Sequence, residues 1–257
     1  MIKIQIITVN YHQDDFIYTM LEDISSFHEV YLTIIDNSRT LKECKKENYQ
    51  IISNDNDGYL VGLKKGLISS NIKSGQKVIL SNPDIKISPN FIKKVLGMEF
   101  GNYNMIAPSV IDLITGIDQN PNQIKPYSTA RKLLFDIEFS SYLLYFMVNK
   151  LKNILKFISR FDRRSSKKLF QKIFLAHGSI MIFNAELFLD FDFDTPNVFL
   201  WGEEAIIANW VHKNGGEIYY EPALEVFHCS KTATSKIVGK ARFKIWRDSY
   251  LIYREFL

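Results

Sequence analysis

The chain has 257 residues, a net charge of +4, a hydrophobic share of 46% and a charged share of 23%. That balance fits one large α/β domain, or a domain with a small appendage, around a sizeable core. Cys44 and Cys229 make neither a disulfide framework nor metal-ligand spacing, which fits a reducing cytoplasm.

Met1 to Val9 is apolar but lacks the charged front and cleavage site of a signal peptide. No segment reaches the roughly 18 to 20 apolar residues that span a bilayer. Ile4 to Val9 reads as a first strand and Asp14 to Ser26 as a helix. Val30 to Ile35 is a second strand, Ile51-Ile52 a short third, Tyr59 to Ser70 a helix and Val78 to Leu80 a fourth strand. Strands alternating with helices of about a dozen residues predict right-handed βαβ units and a mostly parallel sheet.

Three successive strand ends are polar: Asp36-Asn37-Ser38, Asn54 to Asp57 before Gly58, and Asn82-Pro83-Asp84. Ligands bind at the carboxyl ends of strands in open α/β sheets, so this rim is a nucleotide-site layout. The glycine-rich fingerprints of dinucleotide and P-loop proteins are missing from it. Pro83 cannot donate to a ladder and pushes Asn82 into an extended conformation, so the chain leaves the sheet and presents Asp84. An acid fixed in that way suits an oxygen-seeking divalent cation able to hold a diphosphate. Taken alone, the segment reads as a plain Asn-Pro-Asp turn.

The second half changes character. Met105 to Pro108 and Val110 to Ile114 read as short strands, Thr115 to Ser128 as a polar loop and Ser128 to Asp162 as a long helical stretch. Between Arg131 and Lys172, eleven Lys or Arg face three acids, so the rest of the chain is acidic. Met147, Leu151, Ile154, Leu155 and Ile158 fall on one helical face, with Lys152, Lys156, Arg160, Arg163 and Lys167 opposite. Two readings stand: a core-packed helix with a solvated basic back, or an in-plane helix on an anionic membrane surface. Phe139, Tyr142, Tyr145 and Phe146 are types that suit a membrane interface. No groove-reading module is present, which argues against nucleic acid.

His177-Gly178-Ser179 precedes a strand over Ile180 to Phe183. Phe199-Leu200-Trp201-Gly202 leads to Glu203-Glu204 and a helix through Lys213, stopped at Asn214-Gly215-Gly216. Glu217 to Tyr220 and Leu224 to His228 read as strands around Glu221-Pro222, and Lys236 to Leu257 as a closing helix. Two acids in a first helical turn are explained by capping. Behind Phe199, Leu200 and Trp201 they are equally placed as a general base in an apolar pocket. His228, beside Cys229 at a strand end, reads by itself as an ordinary satisfied histidine.

Taken in order, Thr8-Val9-Asn10-Tyr11, Ile35 to Ser38, Asn56 to Tyr59, Leu80 to Asp84, His177 to Ser179, Phe199 to Glu204, Tyr219 to Pro222 and His228 resemble bacterial family-2 glycosyltransferases. The likeness is to the rhamnosyltransferase-like branch of capsule and O-antigen assembly, and it runs from about Ile4 to Ser235. It implies a GT-A fold in one domain: a donor half over 1–115, an acceptor half over 116–235 with the basic helical insertion at 128–172, and a C-terminal helix over 236–257. It implies an inverting transfer from a dTDP- or UDP-sugar to a glycan or polyprenyl-diphosphate-linked acceptor, at the inner face of the bacterial membrane. Position by position, the resemblance places Val9, Asn10 and Tyr11 at the nucleotide and Asp36 and Asn37 at the base or ribose. Asp57, Gly58 and Asn82 join the donor pocket, and Asp84 with His228 holds Mg²⁺ or Mn²⁺. Glu204 becomes the general base with Glu203 positioning it, and His177, Gly178, Trp201 and Gly202 face the acceptor. Lys64 stands where an Asn is usual near the donor, as a phosphate contact or a solvated helix residue.

Two rivals remain. A nucleotidyltransferase-like enzyme needs a glycine- and basic-rich phosphate loop after the first strand, and Ile6 to His12 has none. A catalytically inactive sugar-nucleotide-binding scaffold is the other; Ile206, Ile207 and Trp210 replace the branch's polar residues after Glu204.

Overall fold

A computed structural model of the protein describes residues 1–43, 47–101, 103–158, 169–230 and 237–257, the side chains of 153–158 excepted. Strand β1 (Ile4–Asn10) lies between β2 (Val30–Asp36) and β4 (Lys77–Ser81), with β3 (Tyr49–Ser53) beyond β2, all parallel. Next come β8 (Ile180–Asn184), antiparallel to β4, and β6 (Met105–Asp112), antiparallel to β8. Strand β9 (Ile218–His228) runs parallel to β6, and the short β5 (Ile85–Lys86) and β7 (Gln171–Ile173) pair antiparallel with β9. The sheet is therefore parallel through its first half and mixed as a whole. One edge gathers the carboxyl ends of β1, β2, β4, β6 and β9 and the amino end of β8.

Every residue of β1 is buried, as expected of a central strand covered on both faces. The period of two sorts its side chains. Ile7 and Val9 join a core with helices α2 (Tyr59–Ser69) and α7 (Glu203–Lys213). Ile4 and Ile6 join a second core with α1 (Asp14–Ile24) and α3 (Pro89–Gly97). Each fully buried side chain of this size contributes roughly 1.5–3 kcal/mol. Helix α3 has a start signal in its own sequence. Ser88 accepts from the Phe91 amide at 3.1 Å, and Pro89 occupies the first turn.

Three expectations are corrected. Residues 105–112 form one strand, and β9 is also continuous; their register jumps between Pro108–Glu221 and Ser109–Glu225. Proline is tolerated at such an irregularity because no ladder donor is demanded there. The long helical stretch is two helices, α4 (Thr129–Ser140) and α5 (Tyr142–Ile158), parted at Ser141, which is extended (φ −150°, ψ 154°). The Ser141 hydroxyl accepts from the Leu144 amide at 3.3 Å and so starts the second helix. The third concerns which face is buried. Phe139 and Tyr145 pack inward on Phe243, Trp246 and Tyr250 of α8 (Gly239–Tyr253), while Met147 and Leu151 are more than half exposed. Ile154, Leu155, Ile158, Lys156, Arg160, Arg163 and Lys167 lie outside the described side chains. Among the described residues, no helix is long and apolar enough to cross a membrane.

Candidate active site

The polar sheet edge opens into a cleft of about 1120 Å³. Asp84 follows β4 and His228 ends β9, and the two are joined because β5 pairs Ile85 with His228. The Cys229 amide also donates to the Asp84 carbonyl at 3.0 Å. Nε2 of His228 lies 3.3 Å from Oδ2 of Asp84. Both side chains are buried, yet neither carboxylate oxygen of Asp84, nor Nε2 of His228, has a hydrogen-bond partner among the described residues. Unpartnered buried polar atoms are costly. Hard carboxylate oxygens beside an imidazole nitrogen suit Mg²⁺ or Mn²⁺. No group of three or more His, Cys, Asp or Glu among the described residues forms a metal cluster. A two-ligand site of this kind leaves other positions to phosphate oxygens and water, as Mg²⁺ sites commonly do.

His177 stands beside them, its ring edge-on to His228 at 5.7 Å between centroids. Nδ1 accepts the Ser179 amide hydrogen at 3.3 Å, so the ring proton sits on Nε2. Burial, then the neighbouring His228, pushes His177 down to about 4, and it is neutral at neutral pH. The cleft thereby gains a neutral N–H donor.

Across the cleft, Glu203 and Glu204 open α7. Burial raises both carboxyls, and the adjacent Glu204 charge lifts Glu203 further, to about 8. Glu203 thus titrates against the Glu204 charge, so Glu204 is the first of the two to give up its proton. Oε2 of Glu203 and the Tyr59 hydroxyl are also buried without partners among the described residues. Burial, then the charges of Glu203 and Asp84, raises Tyr59 well above its ordinary value, placing this phenol in the field of both carboxylate sites.

The approach to α7 is held from two sides. Gly58 (φ +110°) lets the α2 start meet the 199 backbone: a Cβ there would lie 2.7 Å from the Phe199 carbonyl oxygen. The Tyr59 amide donates to that oxygen at 3.0 Å. From α8, Trp246 stacks on Trp201 (5.3 Å between centroids), and the Ser249 hydroxyl donates to the Leu200 carbonyl at 2.7 Å. Gly202 has φ +91°, and a Cβ there would lie 2.0 Å from the Tyr253 ring. Gly202→Ala is therefore expected to cost about 1–3 kcal/mol for the left-handed backbone alone, before the ring moves. A fall in Tm of roughly 2–10 °C by circular dichroism is the expected result; an unchanged Tm would refute this packing.

The predicted donor residues divide. Val9, Tyr11, Asn37, Asn82 and Asp84 line the cleft, as do His177, Gly178, Trp201, Glu203, Glu204 and His228. Asn10 and Asp36 lie beneath it. Asp36 accepts from Asn10 Nδ2 (3.0 Å), the Ser38 amide (3.1 Å) and hydroxyl (2.7 Å), and the Leu41 amide (2.9 Å). Burial raises its carboxyl, but these bonds outweigh burial and hold it below its ordinary value. Asn10 also donates to Asp14 at 2.8 Å and accepts from the Gln13 amide at 3.0 Å. This pair shapes the loops that carry Tyr11, Asp14 and Thr40 into the cleft. Gly58 and Gly202 are buried in the backbone supports already described, and Asp57 is exposed outside the lining. Lys64 is not at the cleft; its ammonium binds the Thr195 carbonyl and Asn197 Oδ1.

The cleft also contains residues outside the ordered motifs, among them His12, Gln13, Asp15, Thr40 and Ile237, while Asn56 and Tyr59 lie within one motif but had no role assigned. Tyr59 had one available signal, its place directly after a glycine that opens a helix.

No family model matches the chain, and no curated protein is similar to it in sequence. Its fold is similar to solved glycosyltransferases. GalNAc-T7, with UDP, GalNAc and Mn²⁺, aligns with a TM-score of 0.56 at 12% identity over 100% of this chain and 50% of its own. This chain thus spans half the length of that one. The mannosyltransferase PcManGT of Pyrobaculum calidifontis, with GDP-Man and Mn²⁺, aligns with a TM-score of 0.50 at 12% identity over 97% of this chain and 69% of its own. The architecture is that of GT-A-type glycosyltransferases.

Proposed function

We propose that the cleft binds a nucleotide-diphosphate sugar and transfers the sugar, with inversion, to an acceptor hydroxyl. The observation that carries this is one cleft holding two unlike sites on a GT-A-type fold: the unpartnered Asp84–His228 pair, and the adjacent carboxyls of Glu203 and Glu204, both raised by burial. Asp84 and His228 are the residues that would hold a divalent cation, whose chemistry is to neutralise charge growing on a leaving diphosphate.

The chain's own groups supply the rest. Ionised Glu204 takes the acceptor hydroxyl proton as the new carbon–oxygen bond forms and the sugar–phosphate bond breaks, its electrons leaving with the diphosphate. Glu203 retains its proton and so does not repel the leaving charge. Neutral His177 offers a hydrogen bond from Nε2 without adding positive charge. Val9, Tyr11, Asn37 and Asn82 line the donor side, and Trp201 forms an apolar wall beside the base.

The resemblance of the ordered motifs supports a dTDP- or UDP-sugar donor with rhamnose as a candidate sugar, and a role in surface polysaccharide synthesis. A screen of donor hydrolysis across nucleotide sugars, with and without Mn²⁺, tests this. Metal-stimulated hydrolysis of a particular donor is expected. Donor binding without turnover on any acceptor would instead make the protein a sugar-nucleotide-binding scaffold.

A lipid-linked acceptor at an anionic membrane surface fits the outer face of the helical layer. Leu133, Leu134 and Ile137 of α4 and Leu143, Phe146, Met147 and Leu151 of α5 are all 46–66% exposed. They recur at helical spacing, and exposed Lys150 stands among them where the basic run resumes. Apolar side chains suit insertion into the interface, and each basic residue near anionic headgroups adds about 1 kcal/mol. Vesicles containing phosphatidylglycerol are expected to pellet the protein at low salt, and the Leu134→Glu/Met147→Glu variant is expected to stay in solution. Wild-type protein remaining in solution with such vesicles would sink the idea.

A further inference from the structure

We propose that Asp112, acting through Ser230, holds His228 in the tautomer with its proton on Nδ1, so that Nε2 is a bare lone pair beside Asp84. Its functional meaning rests on the cation reading above; the proton placement does not.

Asp112 ends β6 directly opposite His228 at the end of β9. Its Oδ1 accepts the Ile114 amide (3.0 Å), the Thr115 amide (2.7 Å) and the Thr115 hydroxyl (2.8 Å). Its Oδ2 accepts the Ser230 hydroxyl hydrogen. A carboxylate surrounded by donors in this way only accepts, and serine has a single hydroxyl proton to give. Ser230 Oγ lies 3.2 Å from His228 Nδ1 and has no proton left for it. The hydrogen between them must therefore belong to Nδ1.

Gln119 agrees. Its Oε1 lies 2.7 Å from the same Nδ1, as a second acceptor for that N–H. Ser230 reaches this position with φ 49°, a left-handed backbone that non-glycine residues seldom adopt. A local cost of that kind is kept where neighbouring groups fix it.

With one ring proton placed on Nδ1, a ring that carries no second proton leaves Nε2 bare. Bare Nε2 and the Asp84 carboxylate, 3.3 Å apart, are then two acceptors in contact. A cation, or a second proton on the ring, is what joins such a pair. The tautomer is thus selected from the β6 side and expressed at the cleft. Asp112 is a positioning residue, in the way outer groups orient metal-binding histidines elsewhere.

The experiment is ¹⁵N NMR of the His228 ring in metal-free protein, together with Mn²⁺ titration followed by electron paramagnetic resonance. In wild type the protonated nitrogen is expected to be Nδ1. Asp112→Asn frees the Ser230 proton, and Ser230→Ala removes the relay while keeping the Asp112 bonds to residues 114 and 115. Each, made in a Gln119→Leu background that removes the second acceptor, is expected to raise the Nε2-protonated population and weaken Mn²⁺ binding about tenfold. Wild-type His228 protonated on Nε2 overturns the proposal, as do unchanged ring shifts in a folded variant. Wild-type protein with protonated Nδ1 but no Mn²⁺ affinity would leave the relay standing and remove the cation reading instead.

Discussion

Glu204→Gln is expected to abolish sugar transfer while leaving donor binding intact. A positioned general base supplies about 10²- to 10⁴-fold, and glutamine keeps the shape of the side chain but cannot take a proton. Donor affinity is expected to survive because Asp84 and His228 are held by β4, β5 and β9, and Glu204 by α7. Single-turnover transfer, with donor affinity measured by calorimetry, checks both halves. Retained turnover would move the base to Glu203. The pH dependence separates the two acids further. Glu204 titrates first, with Glu203 still protonated, so Glu203→Gln is expected to leave the acid limb of kcat/KM in place. It is also expected to alter stability in a defined direction. A carboxyl raised from 4.5 to about 8 holds in the folded state a proton that the unfolded chain has released. Stability is therefore lost as pH rises through that window. Glu203→Gln removes this loss, and its Tm is expected to exceed that of wild type at and above the upper end of the window. A wild-type Tm that is flat across it would exclude the buried-pair assignment.

The first half of the sheet was legible because its signals are local. Buried β-branched runs, a period of two, and polar residues after each run fix where β1, β2 and β4 end. Asp84 and the Glu203–Glu204 pair could be found in the same way, since each follows a turn signal, Pro83 or Gly202. What decides their chemistry is not local. Asp84 meets His228 only because two-residue β5 pairs with a strand more than 130 positions later, and so short a strand has no periodicity to read. Asp36 illustrates the converse: its strand-end position is visible in sequence, but its acceptors face Asn10, Ser38 and Leu41 instead of the cleft. The break at Ser141 and the outward turn of Met147 and Leu151 were hidden for another reason. An apolar stripe has the same spacing whether it meets a core or a surface, and here the aromatic side of α4 and α5 took the core by stacking on α8.

Asp84→Asn is expected to have the second large effect, and the way it divides between stability and binding is diagnostic. A carboxylate that is 1% exposed, with both oxygens unpartnered, costs the fold free energy. Asparagine has nearly the same volume and removes the charge. The backbone contacts of this turn, Asn82 amide to Ser179 carbonyl at 2.7 Å and Cys229 amide to Asp84 carbonyl at 3.0 Å, do not involve the side chain. Thermal stability is therefore expected to be retained or to rise. Mn²⁺ affinity is expected to collapse, because one of two ligating side chains has lost its charge. Transfer is expected to fall about 10³-fold, in keeping with the several kcal/mol that a metal supplies to developing charge. Calorimetric Mn²⁺ titration, thermal melts and donor turnover on the same preparation read the three effects separately. A folded variant that keeps wild-type Mn²⁺ affinity would place the cation elsewhere. A variant that unfolds would show that the Asp84–His228 contact acts as a structural ion pair, with His228 charged. A gain in stability coupled to loss of metal is what a residue retained for chemistry at a cost to the fold must give.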